Sequence, residues 1–407
     1  MINKNFSYLW LGSIISQLGD EFYAIALAWW ILQKTNSTAM MGLFLFVTVL
    51  PGVLLGLITG VITDRYNRKR IIIITNIVCG GLVFIIAYLS MMNMLEVWHV
   101  YLIGFGLSVA TAFFDPAYKA ITPDIVAKEY LVKANGLNGA INGVCTVVGP
   151  LLGAFTVSKY GITAVFLVNG ISYIIAALLT GFIRWVRSYE TSSDKNSFIS
   201  EIREGLHFIN SRINIRIILI IIGIGHFFLG SLSVALPFIA NKLKGDGVSN
   251  LGMLQMLLGV GFILGSILVG SKKKISFLMS TLNRLLIGIG VCFVMISVLQ
   301  HYKIQFIAWY LPFLVVIGIL ISSASVYWQS MLQLNTPSHM TGRVFSVSTL
   351  IGNTTLPIAY GIFGLLLEIS SISVVMIGCG NCLLLFSAIL FVRTEMRTKS
   401  GDEIPRA

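Results

Sequence analysis

The sequence predicts an all-α integral membrane protein of twelve transmembrane helices in two six-helix bundles, and three observations carry this. Of 407 residues, 56% are hydrophobic and 11% charged, against about 25% charged in soluble globular domains. Twelve apolar segments centre near residues 20, 51, 82, 110, 146, 172, 227, 260, 288, 318, 354 and 382. Each reaches the roughly 20 residues that a helix needs to cross about 30 Å of hydrocarbon. The longest polar interval, Ser188 to about Ile213, divides them six and six. Lipid offers backbone amides no water, and no alternating barrel pattern is present, so each span must be helical.

The first span, about Tyr8 to Leu32, is long enough to cross and lacks a small-residue cleavage site, so it reads as helix 1 rather than a signal peptide. Met41–Ile62 and Ile71–Leu95 carry no charge and form helices 2 and 3. Between them, GVITDRYNRKR (Gly60–Arg70) holds one acid and four bases and reads as a short cytoplasmic loop. Helix 4 ends in DPAYKAITP, helix 5 carries CTVVGPLLGA, and helix 6 completes a first bundle of residues 1–187. In the linker, 188–213, Phe198, Ile202, Leu206 and Ile209 recur at helical spacing while Glu201, Arg203 and Glu204 take other faces. That is an amphipathic helix on the membrane surface. Residues 214–407 form the second bundle.

The net charge of +12 is an insertion signal and not a nucleic-acid footprint. With the N-terminus inside, only Lys34, Lys159, Lys242, Lys244 and Lys303 of the 28 Lys and Arg residues fall outside. This bias places both termini in the cytoplasm. The five cysteines all lie within predicted helices; Cys379 and Cys382 form a C-x-x-C without a βαβ context and read as packing residues. No Walker-type loop, H-E-x-x-H or nucleophile constellation is present, so neither ATP, metal nor catalysis finds support.

A weak internal repeat, offset slightly above 200 residues, sets Gly19-Asp20 against Gly225-His226, Asp115 against Gln329, and Arg68-Lys69-Arg70 against Lys272-Lys273-Lys274. Asp20 lies about 18 Å into helix 1, near mid-membrane, where an acid is expensive and functional by default. Glu21 follows it, but helix neighbours point about 100° apart, so one of the two is expected to face a cavity. The alternative is a polar clamp to a neighbouring helix. Asp115 and Lys119 stand i, i+4 in helix 4, a spacing that permits either a buried ion pair or a gating role. His226 is a titratable candidate with a hydrogen-bonded structural role as its rival. Phe22, Tyr23, Phe113, Phe114, Phe227, Tyr327 and Trp328 cluster beside these polar sites and are read as cavity aromatics.

The pattern Gly60, Asp64-Arg65, Arg68-Lys69-Arg70 resembles the signature between helices 2 and 3 of the major facilitator superfamily. ITPDIVAKEYLVKANGLNGAINGVCTVVGPLLGA, SEIREGLHFI and MTGRVFSV are similar to the drug-efflux branch that includes macrolide efflux proteins and the enterobactin exporter. The resemblance implies the major facilitator fold, with a substrate cavity between halves near mid-membrane. It also implies that Asp64 faces the N-terminus of helix 11 near Thr341–Arg343, and that Arg65 and Arg68 hold carboxylates such as Asp124 while the cytoplasmic gate is closed. Gly149, Pro150 and Gly153 match the exporter signature of helix 5, with Cys145 and Ala154 where Gly is usual; helix 4 lacks the Arg of many proton-coupled antiporters. The expectation is therefore a plasma-membrane exporter in a bacterium, a monomer with no cofactor beyond an ion gradient of protons. Its cargo is an amphipathic small molecule. Export of a metallophore or peptide antibiotic is the rival within transport, and a membrane-embedded enzyme or sensor the rival outside it.

Overall fold

The computed structural model describes residues 2–127, 130–184, 207–270 and 278–399. Twelve long helices follow in order: α1 Lys4–Thr35, α2 Thr38–Arg65, α3 Arg68–Met91, α4 Val97–Ile125, α5 Leu131–Tyr160 and α6 Ile162–Gly181, then α7 Ile213–Lys242, α8 Gly247–Gly270, α9 Leu278–His301, α10 Leu311–Asn335, α11 Ser338–Ile369 and α12 Ile372–Lys399. Eleven hold a window apolar enough to cross a membrane; α1 does not. Ser13, Ser16, Gln17, Asp20 and Glu21 lower its hydropathy. It can still run through the layer because α5 and α6 cover much of its surface in place of lipid.

Turn chemistry explains the tight reversals. Asn36 takes a left-handed conformation (φ 47°) after α1, and the Ser37 side chain caps α2 by accepting the Met40 N–H. Between α2 and α3 only Tyr66 and Asn67 are non-helical, and Asn67 accepts the Arg70 N–H at 3.0 Å. The stretch expected as a loop from Gly60 to Arg70 is thus two helix ends and a two-residue turn. Most of the expected amphipathic linker lies outside the described residues. Its last turn is helical, and Ile209 is buried with Ile215 and Ile218 of α7.

The helices pack as two sets of six. In the first, α1 lies on α5 and α6, α3 between α4 and α6, and α2 on α4. In the second, α7 lies on α11, α9 between α10 and α12, and α8 on α10. The sets join mainly through α2 with α11 and α5 with α8. One correspondence is broken: α6 packs along α1, but α12 stands off from α7. A cavity of about 470 Å³ fills that space, lined by Phe227 and Phe228 of α7, Thr355 of α11, and Cys382 and Phe386 of α12.

Candidate functional site

Gly19 decides how closely α1 and α6 approach. A Cβ there would collide with Asn169 Oδ1 and Ser172 Oγ. The close approach brings the Tyr173 hydroxyl of α6 to Asp20, where it donates to Oδ1 at 2.5 Å. Asn169 Nδ2 lies near enough to act on the same carboxylate but outside hydrogen-bond geometry. Asp20 is nevertheless solvent-accessible. Since α1 touches α2, α4, α5 and α6 of its own set and α7 and α8 of the other, an accessible side chain at its middle opens on an interior space rather than on lipid. Asp115 of α4, also accessible, is within electrostatic reach.

Glu21 points elsewhere, as the 100° step requires. It lies against α5 at Gly149, where any Cβ would strike its own Cβ, and Phe22 lies against Gly153 in the same way. The two glycines of the helix 5 signature are therefore the seat of α1. The next turn of α5 faces the other set: a Cβ on Gly252 of α8 would meet the Pro150 carbonyl at 2.8 Å and the Ala154 methyl. Where the signature has Ala154 instead of Gly, the facing helix supplies the missing space through Gly252.

One expectation needs correction. Asp115 and Lys119 form no buried ion pair; both are exposed, and no contact within ion-pairing distance joins them among the described residues. Desolvating both charges would exceed what one loose pair returns. His226 carries the hydrogen bond of its structural reading. Its Nδ1 donates to the Ile222 carbonyl of its own helix at 2.8 Å, because a carbonyl offers only lone pairs, and Nε2 faces α11 at Gly352. The expected Arg68–Asp124 pair is present: Arg68 Nη1 donates to Asp124 Oδ2 at 2.9 Å, Oδ1 at 3.1 Å and the Ala120 carbonyl at 3.0 Å. Asp124 and Ala120 are both on α4, so this contact lies within the first set.

Around this brace, Lys69 Nζ donates to the Gly181 and Ile183 carbonyls at the end of α6, both at 2.8 Å, a cation on the negative end of a helix. Arg70 gives its N–H to the Asn67 cap and leaves its side chain exposed. The side chains of Gly60, Asp64, Arg65 and Arg343 lie outside the described residues. Helix α11 begins at Ser338, so its positive end precedes the Thr341–Arg343 stretch.

A family model described as "transmembrane secretion effector" matches residues 1–407. The chain belongs to this family of major facilitator transporters. The chain is 24% identical to macrolide efflux protein A of Streptococcus pyogenes over 87% of each chain. It is 26% identical to the staphyloferrin A transporter of Staphylococcus aureus over 42% of this chain and 44% of the other. Among solved structures, the nucleoside transporter NupG superposes with a TM-score of 0.73 at 12% identity, covering 95% of this chain and 98% of that one. The chain is thus a multi-pass membrane transporter and not an enzyme.

The expected aromatics divide between walls and core. Phe227 lines the α7–α12 cavity and packs on Phe363 with ring centroids 5.0 Å apart. Phe22 and Phe113 are half-buried. Tyr23 is buried edge-on against Phe166; Phe114 stacks on Tyr118 within the α1–α4 core. Tyr327 is buried among Ile215, Ile218 and Val347, with Trp328 beside it against Phe345. For Tyr23 and Tyr327 the cavity reading gives way to packing, because burying a large ring in the core removes more apolar area than lining a wet wall.

Sequence reading missed Tyr173, Asn169, Gly252 and Glu368 of this transporter. A Tyr and an Asn one turn apart in an otherwise apolar helix 6 were the available signal. Glu368 ends α11 and accepts from the Ser37 hydroxyl at 2.9 Å and the Ala39 N–H at 3.1 Å, with the Thr38 hydroxyl between it and the Gly364 carbonyl. It is an acid on the positive end of α2. This clasp joins the two sets at the end of the molecule opposite the termini.

Proposed function

We propose that this transporter exports an amphipathic small molecule from a bacterial cytoplasm in antiport with protons, its halves 1–187 and 214–407 rocking about a central cavity. The observation that carries the reading is Asp20: an accessible acid at mid-helix, held by one hydroxyl, on the helix that both halves touch. An acid maintained at that depth has a use that outweighs its cost. Binding a proton there and releasing it on the other side would bias the exchange between two conformations, which is all that coupling requires. The name of the macrolide efflux relative supports an amphipathic cargo. The excess of Lys and Arg at the end bearing the termini supports a cytoplasmic location for both.

The test is uptake of a radiolabelled macrolide into inverted vesicles under an imposed proton gradient. Wild-type protein is expected to accumulate it and Asp20→Asn to lose uphill uptake at normal expression; undiminished uptake by the variant removes Asp20 from the mechanism. A second reading, export of a polycarboxylate metal chelator, is favoured by the staphyloferrin A transporter relative. Competition by such a chelator in the same vesicles separates the two cargoes.

A further inference from the structure

We propose that Tyr173, with Asn169 and Tyr23, forms a buried donor seat for the Asp20 carboxylate, and that Tyr173 is the positioning residue of that acid. The proposal rests on the reading of Asp20 as the proton-coupling group and deepens it. Asn169 is fully buried and its Nδ2 has no partner; the Tyr23 hydroxyl, in a residue 8% exposed, has none either. A buried donor left unpaired loses about 1–3 kcal/mol of hydration, and folded proteins hold few of them. Here two stand around one acid that a third donor, Tyr173, already grips.

Ser172 Oγ donates to the Asn169 carbonyl at 2.7 Å and lies 3.1 Å from Asn169 Oδ1, so Nδ2 is the end of the amide left without a partner. Gly19 keeps α1 low enough for this side of α6 to reach the acid. A seat of three donors suits an anion. It is a poor cation site, since a sodium or calcium ion needs several oxygen acceptors. The charge Asp20 carries when unprotonated is therefore received by Tyr173, Asn169 and Tyr23 on the α6 side, and protonation removes the reason to stay there.

Among the described residues, the titratable groups within electrostatic reach of Asp20 are Glu21 and Tyr23 on α1, Cys79 on α3, Asp115 on α4, Cys145 on α5 and Tyr173 on α6. None of them is a base. Proton affinity at Asp20 is thus governed by hydrogen-bond donors and by the neighbouring acids, and the donor nearest the carboxylate has the most direct influence.

Infrared difference spectroscopy of the purified full chain in lipid tests this without knowledge of the cargo. A protonated-carboxyl band that titrates with pH and vanishes in Asp20→Asn reports the acid. In Tyr173→Phe the midpoint of that band is expected to move up by about one pH unit, a roughly tenfold gain in proton affinity. Asn169→Leu is expected to move it in the same direction by less. Size-exclusion profiles matching wild type show that the variants fold. A band that titrates with an unchanged midpoint in Tyr173→Phe overturns the seat while leaving Asp20 as the coupling group. No band assignable to Asp20 overturns both. If Tyr173→Phe is not monodisperse, Tyr173→His, which keeps a donor, is expected to return the midpoint toward wild type, and failure to do so counts against the proposal.

Discussion

The Arg68 guanidinium spans both carboxylate oxygens of Asp124, at 2.9 and 3.1 Å, and both residues belong to the first six helices. A contact within one rigid half is kept when the halves rock, so it cannot by itself report which side is open. With Lys69 on the end of α6 and Asn3 donating to the Ile125 carbonyl at 2.7 Å, it makes a collar around the helix ends of the first set.

Arg68→Ala is therefore expected to loosen the first set rather than shift a gate. The pair is partly exposed, which limits the loss to about 1 kcal/mol. Thermal unfolding of Arg68→Ala, Asp124→Asn and the double variant should show strong non-additivity, the double losing little more than either single. Additive losses would mean that the two side chains act independently.

Glu368 is a group whose contacts do cross between the sets. Glu368→Ala should free the start of α2 and raise the population open at that end, by about 1–3 kcal/mol of conformational bias. A cysteine at Phe46, which faces Gly361 of α11, gives the readout in a Cys382→Ser background. Its reaction with an impermeant maleimide should quicken several-fold; an unchanged rate would assign closure to the glycine crossing at Gly42 and Gly364 instead.

The crossing of α5 and α8 predicts a rescue. Gly252→Ala places a methyl against Ala154 Cβ and the Pro150 carbonyl, overpacking that costs about 1–3 kcal/mol. Adding Ala154→Gly removes the first of these obstacles and should recover part of the lost unfolding temperature. No recovery would mean that the carbonyl, not the methyl, limits the approach.

Acid should weaken the same end through Asp246, which caps α8 by accepting from the Ser249 hydroxyl at 2.6 Å and its N–H at 3.3 Å. Burial acts to raise its carboxyl, but donors from Ser249, Ser158 and Val248 outweigh this and hold it below the ordinary value. A depressed folded-state value adds stability that is present above the unfolded value of about 4 and is lost as pH falls through the lowered one. Unfolding temperature measured from pH 6 down to 3 should fall less steeply in Asp246→Asn than in wild type. Parallel curves would show that the cap contributes nothing to the acid response.

Hydropathy along the chain was enough to read eleven of the spans, with α1 read from its length and position, because lipid compels a span to meet its own backbone hydrogen bonds and to present apolar side chains, and both demands are local. The same reasoning marked Asp20 as a group out of place in its helix. Its partner was not legible: Tyr173 is 153 residues away, and which of Asp20 and Glu21 turns toward it depends on the rotation of α1 against α5 and α6. Likewise the bases after α2 were evident as a charge cluster and the family resemblance pointed Arg68 to Asp124, but the clasp of Glu368 on the start of α2 was not legible, because the two lie about 330 residues apart and meet only when the sets pack. A sequence states what each helix must bury; helix rotation and the glycines that permit close approach decide against what.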